Sequence, residues 1–519
     1  MDERAFNLLD EPWLPVRLAD GRTEMLGLLE VFRRSSEITA LAETAPPSLV
    51  AQYRLLLAIL HRALSRAHPQ GWKDKERARW YRQGLPVDAV CGYLEDWRER
   101  FWLFHPERPF MQVAALAEAE ETCDKFKPWT QIALASANGN TPVVFDHACD
   151  SVPSAIDPAL ALNALLGFLQ FTPGGLVKVL RDSDKAGALA NTAAILPLGE
   201  TLAKTLLLCL HPWRGEEDLP AWERAAPTLS ELRGKSILAT GSNDRYTRQS
   251  RAVLLRREAD GRVQWLHFAA GLALEEDGNA PDPMASFRTG SNGNPVRVSF
   301  VEGRAFWRDL PVLVPNPQKK NSQPAAVLSY AMTLHDELDF EPVYQPLLVA
   351  GLASDQAKLL RWRLERISLP LALLEDADRA LYLCELVAKA ETVFGDIRAL
   401  ATYMLAESMP EPSHKDTRSR ARSLLDTGSF ASSYFASAER FLPEVLRQLG
   451  DGQFESATRD WNQALRSSAS TAWHQVVQGM GLSVSALRSD AKYLPRFHAL
   501  LNKHFPRAES HPVYEEAAA

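Results

Sequence analysis

The residues of this chain that could do chemistry are few and scattered. Leu334-His335-Asp336 carries the His-Asp dipeptide of metal-dependent phosphohydrolases, but such a site needs further His and Asp ligands, and no second His pair stands at a suitable spacing. Asp146, His147 and Asp150 are close enough in sequence to hold a metal, yet on an irregular segment water serves them equally well. Gly234-Lys235-Ser236 ends as a phosphate-binding loop ends, but that loop needs a glycine five residues before Gly234 to aim its amides at phosphate, and Leu229 stands there. No Gly-x-Ser-x-Gly elbow occurs, and no cysteine has a nucleophile's context. No catalytic constellation emerges, so the chain reads as a non-enzyme without a cofactor. A metal-dependent HD-type phosphohydrolase built on His335, Asp336 and His147 is the alternative.

The basic residues are better organised. Arg245, Arg248, Arg251, Arg256 and Arg257 crowd one segment, and Lys415, Arg418, Arg420 and Arg422 crowd another. Arg488, Lys492 and Arg496 are spaced by four, which on a helix makes one stripe. Such a stripe either follows a phosphate backbone or is simply a solvated face.

One stretch, 351–370, stands at the seam of two different patterns. Gly351 can take backbone angles closed to other residues. Leu360, Trp362 and Leu364 alternate with Arg361, Arg363 and Glu365, the period of a half-buried strand. Gln345 to Ala350 supplies an opposite arm. The result is a short hairpin with a basic outer face and a polar tip, Asp355-Gln356-Ala357-Lys358, that serves as a connecting turn or as a finger toward a partner.

The chain that positions these residues has 519 of them, enough for two to four domains. It is 46% hydrophobic and 24% charged, with 58 basic against 65 acidic residues and a net charge of −7. A protein that coats DNA by bulk charge would be basic, so any nucleic-acid contact must come from local patches. Five cysteines, none within twenty-five residues of another, exclude a zinc knuckle and argue against a disulfide framework. The acidic N-terminus has no apolar signal core, and no apolar run approaches the ~18–20 residues of a membrane span. A cytoplasmic protein without membrane contact is expected.

Helices are expected over 47–67, 87–104 and 158–170, the last running into Pro173-Gly174-Gly175 as a helix stop. Residues 201–340 mix strands and loops, with 214–235 a charged connection. From 371 onward helical stretches are expected near 371–407, 417–449, 454–479 and 484–505. Leu383, Val387, Ala390, Phe394, Ile397, Ala401 and Met404 follow the 4-3 spacing of a packed seam. The expected fold is α+β: a large mixed N-terminal domain of irregular sheets and helices over 1–370, followed by a C-terminal four-helix bundle over 371–519.

Three stretches in this order resemble the large subunit, or CasA, family of the type I-E CRISPR surveillance complex, Cascade. They are Phe6 to Val16 (FNLLDEPWLPV), His105 to Gln112 with its Pro-Phe-Met-Gln ending, and Gly351 to Arg366 with Gln356-Ala357 at the tip. The resemblance covers essentially the whole chain. It implies a non-catalytic antiviral defence subunit that recognises the protospacer-adjacent motif (PAM) from the minor groove. Such a subunit promotes duplex opening and R-loop formation and helps recruit the system's helicase-nuclease. Its implied partners are the double-stranded DNA target, the guide RNA at its 5′ handle, the other Cascade subunits and that helicase-nuclease. The implied PAM contacts are Gly174 and Gly175, matching the family's glycine loop, and Asp355, Gln356, Ala357 and Lys358 at the hairpin tip. Phe145, Asp146 and His147 match the flexible loop near the RNA handle, and the bundle's course along DNA would employ Arg488, Lys492 and Arg496. The chain departs from the pattern in having no lysine between Lys235 and Lys319. A groove-probing lysine used by family members is therefore absent or replaced by an arginine such as Arg288. A scaffold that touches only proteins is the remaining alternative.

Overall fold

The computed structural model describes residues 4–134, 150–175, 177–213, 217–316, 322–338, 343–355 and 358–506, with backbone alone at 354–355 and 358–361. It divides into two compact units, Met1–Arg304 with Gln318–Leu369, and Ala305–Pro317 with Pro370–Ala519. The fold is α+β, with irregular small sheets in the N-terminal part and a helical C-terminal region.

The first unit is built on the helix Pro46–Ala67. Pro46 and Pro47 start it, where missing amide hydrogens cost nothing. Its Leu- and Ala-rich run buries residues on every face, as a helix in the middle of a domain must. The helix Pro158–Phe171 crosses it closely. A Cβ on Gly167 would come within 2.8 Å of the Ser48 amide. Ser48 Oγ donates to the Asn163 carbonyl at 2.8 Å, and Gln52 Nε2 donates to Asn163 Oδ1 at 2.9 Å.

Around these helices the described strands form six sheets of two or three strands each. The sheet that concerns function runs in the order Lys358–Pro370, Tyr344–Asp355, Ala193–Pro197. Leu347 lies opposite Pro197 and Gly351 opposite Ala193 in antiparallel register. The hairpin is therefore present, and its arms are longer than expected. Gly351 serves close packing rather than an unusual torsion: a Cβ there would collide with the Thr192 carbonyl and reach the Phe171 ring at 3.4 Å.

Alternation along the second arm holds only in part: Trp362 is half-buried with its Nε1 enclosed, whereas Leu364 on the same face is not covered. Leu364 is 41% exposed. Arg363 and Glu365 instead pair with each other, and the Arg363 guanidinium lies 5.4 Å from the Phe300 ring. Pairing the two charges within the strand makes that face compatible with packing on an aromatic ring.

The helix expected over 87–104 ends at Asp96, because Trp102–Phe104 is a strand that pairs with Ala5–Asn7. The connection at 214–235 contains a short helix, Leu229–Arg233, started by a Thr228/Glu231 capping box.

Part of the first unit's core is polar. His61, on the central helix, stacks on His211 with ring centroids 3.9 Å apart and planes 11° apart. Asn243 Nδ2 lies 2.9 Å from His61 Nδ1. Burial, helped by His211 and Arg62, holds the His61 imidazole well below its ordinary pKa. Such a group contributes stability that is complete above the unfolded value of about 6.5 and is lost as pH falls below it, because the unfolded chain takes up the proton first. Asp218, whose carboxyl is pushed up by burial, acts in the opposite sense in the carboxylate range. The melting temperature is expected to fall between about pH 7.5 and about pH 5.5, and His61→Gln to flatten that trend. Parallel curves for the two proteins would remove His61 from the account.

In the second unit the helix Ala377–Glu407 is the axis. Asp376 caps it, accepting from the Asp378 and Arg379 amides at 2.8 and 3.3 Å. Leu383, Val387, Ala390, Ile397, Ala401 and Met404 are buried along it, as the 4-3 spacing requires. Phe394, of the same series, packs among Phe430, Tyr434 and Phe435. The stretch expected at 417–449 is three helices, Lys415–Thr427, Phe430–Glu439 and Leu442–Gly450. Gly428-Ser429 interrupts the first, and Pro443 sits in the opening turn of the third. The helices Phe454–Met480 and Val484–His504 complete the unit. Trp461 Nε1 donates to the Leu386 carbonyl at 2.8 Å, and Ser489 Oγ donates to that of Met404 at 2.5 Å. Residues 305–317 join this unit although they precede it in sequence. Trp307 meets Trp461 edge-on at 5.7 Å. Arg308 donates twice to Glu391, at 2.7 Å each, while lying 3.5 Å from the Phe435 ring centre.

Candidate nucleic-acid interface

The glycine loop connects the helix Pro158–Phe171 to the strand Ala193–Pro197. Its neck is closed by backbone bonds, Gly187 N to the Thr172 carbonyl at 2.9 Å and Gly175 N to the Asp184 carbonyl at 3.2 Å. Gly175 holds φ at +82° in open space, a left-handed conformation that glycine adopts without strain. Gly174 lies against the returning chain, where a Cβ would sit 3.0 Å from the Ala186 nitrogen.

Arg251 holds this loop from below. Its buried guanidinium donates to the Pro173 carbonyl, to Lys185 O at 2.6 Å and to Ser250 O at 2.8 Å, and pairs with buried Asp184 at 2.5 Å. Burial draws its pKa down to about 10 against the opposing pull of Asp184, so it is charged at neutral pH. The five arginines that crowd this segment of the sequence do not form one surface patch. Arg245 is buried beside Glu276, at 3.3 Å, and donates to the Ala280 carbonyl at 3.1 Å. Arg248 is buried and paired with Asp244. Arg256 and Arg257 alone of the five are exposed.

Three loops leave the same end of the functional sheet. The antiparallel register places Gly351 beside Ala193, so the chain beyond Gly351 runs on toward the hairpin tip past the point where the glycine loop enters. Ala353 bridges to Phe300. Arg297 Nη1 donates to the Ala188 carbonyl at 2.9 Å and to Thr192 Oγ1 at 3.3 Å. These contacts bring in a third element, the small hairpin Phe287–Thr289 and Pro295–Arg297 with its turn at 290–294. This turn is not among the expected elements, although Asn292-Gly293 between two short strands is a hairpin signal. Arg288, the named substitute for a groove-probing lysine, stands exposed on its first strand.

Asp355 ends the hairpin's first strand and Lys358 begins its second. Gln356 and Ala357 lie outside the described residues, as do Phe145, Asp146 and His147. Arg488, Lys492 and Arg496, in the second unit, are exposed on the helix Val484–His504. Lys492 pairs with Glu407 at 2.8 Å, and Arg496 lies 5.1 Å from the Tyr493 ring. Lys415, Arg418, Arg420 and Arg422 are exposed on a helix that buries only Ala421 and Leu425.

His335 of the His-Asp dipeptide is buried, with Nε2 2.8 Å from Gln345 Oε1. Gln345 in turn donates to the Leu198 and Pro346 carbonyls at 3.1 and 2.8 Å. The imidazole is thus built into the packing beneath the hairpin. Among the described residues, no group of three or more His, Cys, Asp or Glu is placed to hold a metal ion. No described helix is long and apolar enough to cross a membrane.

Comparison with known proteins agrees with this architecture. Residues 7–472 match the family model for CRISPR-associated protein Cse1. The CRISPR-associated protein CasA/Cse1 of Thermus thermophilus is 33% identical over 514 residues, spanning 96% of this chain and 97% of that protein. The solved structure of Thermus thermophilus CasA (Cse1) matches with a TM-score of 0.82 at 30% identity, over 96% of this chain and 100% of the other. A chain of a CRISPR RNA-guided surveillance complex shares the fold with a TM-score of 0.71 at 23% identity, over 95% of this chain and 100% of its own length.

Proposed function

The chain belongs to the CRISPR-associated Cse1 (CasA) family, and from that premise we propose that it is the large, non-catalytic subunit of a type I-E CRISPR surveillance complex, Cascade. In this reading it recognises the PAM of a DNA duplex from the minor groove and starts its opening. The R-loop then forms by pairing with the guide RNA, a division in which protein reads the short motif and base pairing reads the rest. The observation that carries the reading is the convergence of the glycine loop, the 290–294 turn and the long hairpin at one end of one sheet. Bare backbone at Gly174-Gly175 allows close approach to a groove. A hairpin tip can insert at a base step, at a cost of a few kcal/mol per step that the added contacts offset.

Gln356, Ala357 and their neighbours Asp355 and Lys358 are assigned to that insertion. Arg288 takes the place of the family's groove-probing lysine. Arg488, Lys492 and Arg496 follow the phosphate backbone, and Phe145, Asp146 and His147 face the 5′ handle of the guide RNA. The other Cascade subunits and the helicase-nuclease are the protein partners, in the cytoplasm. The HD-type phosphohydrolase gains nothing from the geometry, since His335 is committed to Gln345.

The test is binding of target duplexes by the assembled complex carrying Gln356→Ala together with Gly174→Ala and Gly175→Ala. Affinity for a PAM-bearing duplex is expected to fall at least about tenfold, in the range of one lost base-pair contact. The gap between PAM-bearing and scrambled duplexes should close. Full discrimination by the triple variant would sink the assignment of these residues.

A further inference from the structure

We infer that an open groove on the second unit binds unpaired bases of single-stranded DNA. The groove has a volume of about 870 Å³ and is lined by residues from three helices, among them Tyr382, Lys389, Phe454, Asn462, Arg466 and Phe505. The Tyr382 and Phe454 rings stack nearly parallel, with centroids 4.3 Å apart and planes 14° apart. Tyr382 is 39% exposed, so the pair is an aromatic platform left at the surface rather than a piece of core.

A stacking platform accepts any base, because every base has a π-face. The rest of the lining supplies what a nucleotide needs besides stacking. Asn462 also lines the groove, and a side-chain amide can pair with the edge of a base. Lys389, whose pKa is drawn down by burial, has no carboxylate partner among the described residues and lies 5.4 Å from the Phe505 ring. Arg466 is oriented by the Phe505 carbonyl at 3.3 Å and Asn502 Oδ1 at 2.9 Å, contacts that fix the guanidinium without neutralising it. Arg459 and His504 also line the groove, each beside an aspartate, Asp460 at 3.1 Å and Asp396 at 2.8 Å. Glu455 is the single acidic residue of the lining. Cations left with charge to spare beside stacked rings and an amide match the chemistry of base and phosphate together.

The rings lie in a groove, and bases still paired in a duplex cannot reach them, so the ligand is a single strand. The inference rests on the duplex-opening function proposed above, which frees a DNA strand for capture. The groove is separate from the Arg488/Lys492 end of the last helix, since it is lined by residues at that helix's other end, His504 and Phe505.

The experiment uses the full chain with a labelled single-stranded DNA of about twelve nucleotides, within the site sizes of such proteins, and a PAM-bearing duplex as a second probe. Tyr382→Ala and Lys389→Gln are each expected to weaken single-strand binding about tenfold by fluorescence anisotropy, leaving duplex binding unchanged. Both positions are at least partly exposed, and melting curves verify that the variants fold. Unchanged single-strand affinity in both variants overturns the inference. So does an acidic, aromatic peptide that binds with the same sensitivity to Tyr382→Ala while single-stranded DNA does not bind, because the occupant is then a protein. If single-strand binding is absent while the Gln356 variant still loses PAM recognition, the groove fails and the duplex reading stands. If single-strand binding is lost on Tyr382→Ala while the Gln356 and glycine substitutions leave PAM recognition intact, the groove stands and the assignment of the tip residues fails.

Discussion

Arg251→Ala is expected to abolish PAM-dependent binding by the assembled complex rather than merely weaken it. The substitution removes the only cation paired with buried Asp184 among the described residues and takes a charged donor from the Pro173 and Lys185 carbonyls on both sides of the glycine loop. Leaving one member of a buried pair uncompensated typically costs about 3–5 kcal/mol. Part of that cost is avoided by letting the loop move until Asp184 reaches water, and that movement takes Gly174 and Gly175 away from the groove they are proposed to approach. Stability and positioning can be separated. The double variant Arg251→Met with Asp184→Leu removes both charges and fills similar space, a replacement that is often neutral or stabilising for buried pairs. It is expected to melt near the wild type and still fail to discriminate a PAM, because two carbonyls of the loop remain unanchored. Recovered discrimination in the double variant would show that Arg251 stabilises the fold without positioning the loop.

What could be read from the sequence divides along the range of the interactions involved. The seam from Leu383 to Met404 was legible because an exposed-to-buried period of 3.6 is a local property, and every buried position of that seam lies on one helix. The hairpin was legible for the same reason, through its period of two. The burial of each position was legible only in part, because alternation gives parity alone. Arg363, expected on the outer face, is half-buried beside Phe300, a residue far away in sequence. The helix expected over 87–104 failed at Trp102 for a similar cause: its strand partner is Ala5–Asn7. The arginines at 245–257 misled most. Crowded in sequence, they divide in space: Glu276, Asp244, Asp184 and the carbonyls they satisfy reveal Arg245, Arg248 and Arg251 as supports of the interior, while Arg256 and Arg257 are exposed. Of the candidate interface, glycine pairs and turn dipeptides were visible as local signals. The convergence of three loops was not, since it follows from the register between Gly351 and Ala193 and from the reach of Arg297 to Ala188.

The largest effect on stability is expected from Arg54→Ala. Arg54 is wholly buried on the central helix and pairs with Asp282, itself wholly buried. The guanidinium also donates to Gln170 Oε1 at 2.5 Å and lies 4.4 Å from the Tyr246 ring, while Gln170 Nε2 donates to the Tyr246 carbonyl at 2.9 Å. One side chain thus joins the central helix to the helix that leads into the glycine loop. Through Asp282, which accepts from the Met284 amide at 3.0 Å, it reaches the segment bonded to Ile195 of the functional sheet. Breaking the pair should cost about 3–5 kcal/mol, a large part of the roughly 5–15 kcal/mol that holds a domain folded.

The pH dependence gives this prediction a second edge. Burial pushes the Asp282 carboxyl up, but the charges of Arg54, Arg245 and Arg297 outweigh it and hold the group below the usual carboxylate range. In the wild type, Asp282 therefore contributes stability above its unfolded pKa of about 3.9, and that contribution is lost only as pH falls through the lower folded value. Without Arg54, burial dominates and the folded pKa rises above the unfolded one. The variant is then least unstable in acid and loses stability as pH rises through the raised value. The difference in unfolding free energy between the two proteins should widen from about pH 5 to about pH 7. A constant difference across that range, or one below about 1 kcal/mol, would mean that water reaches Asp282 and that the pair does not carry the junction.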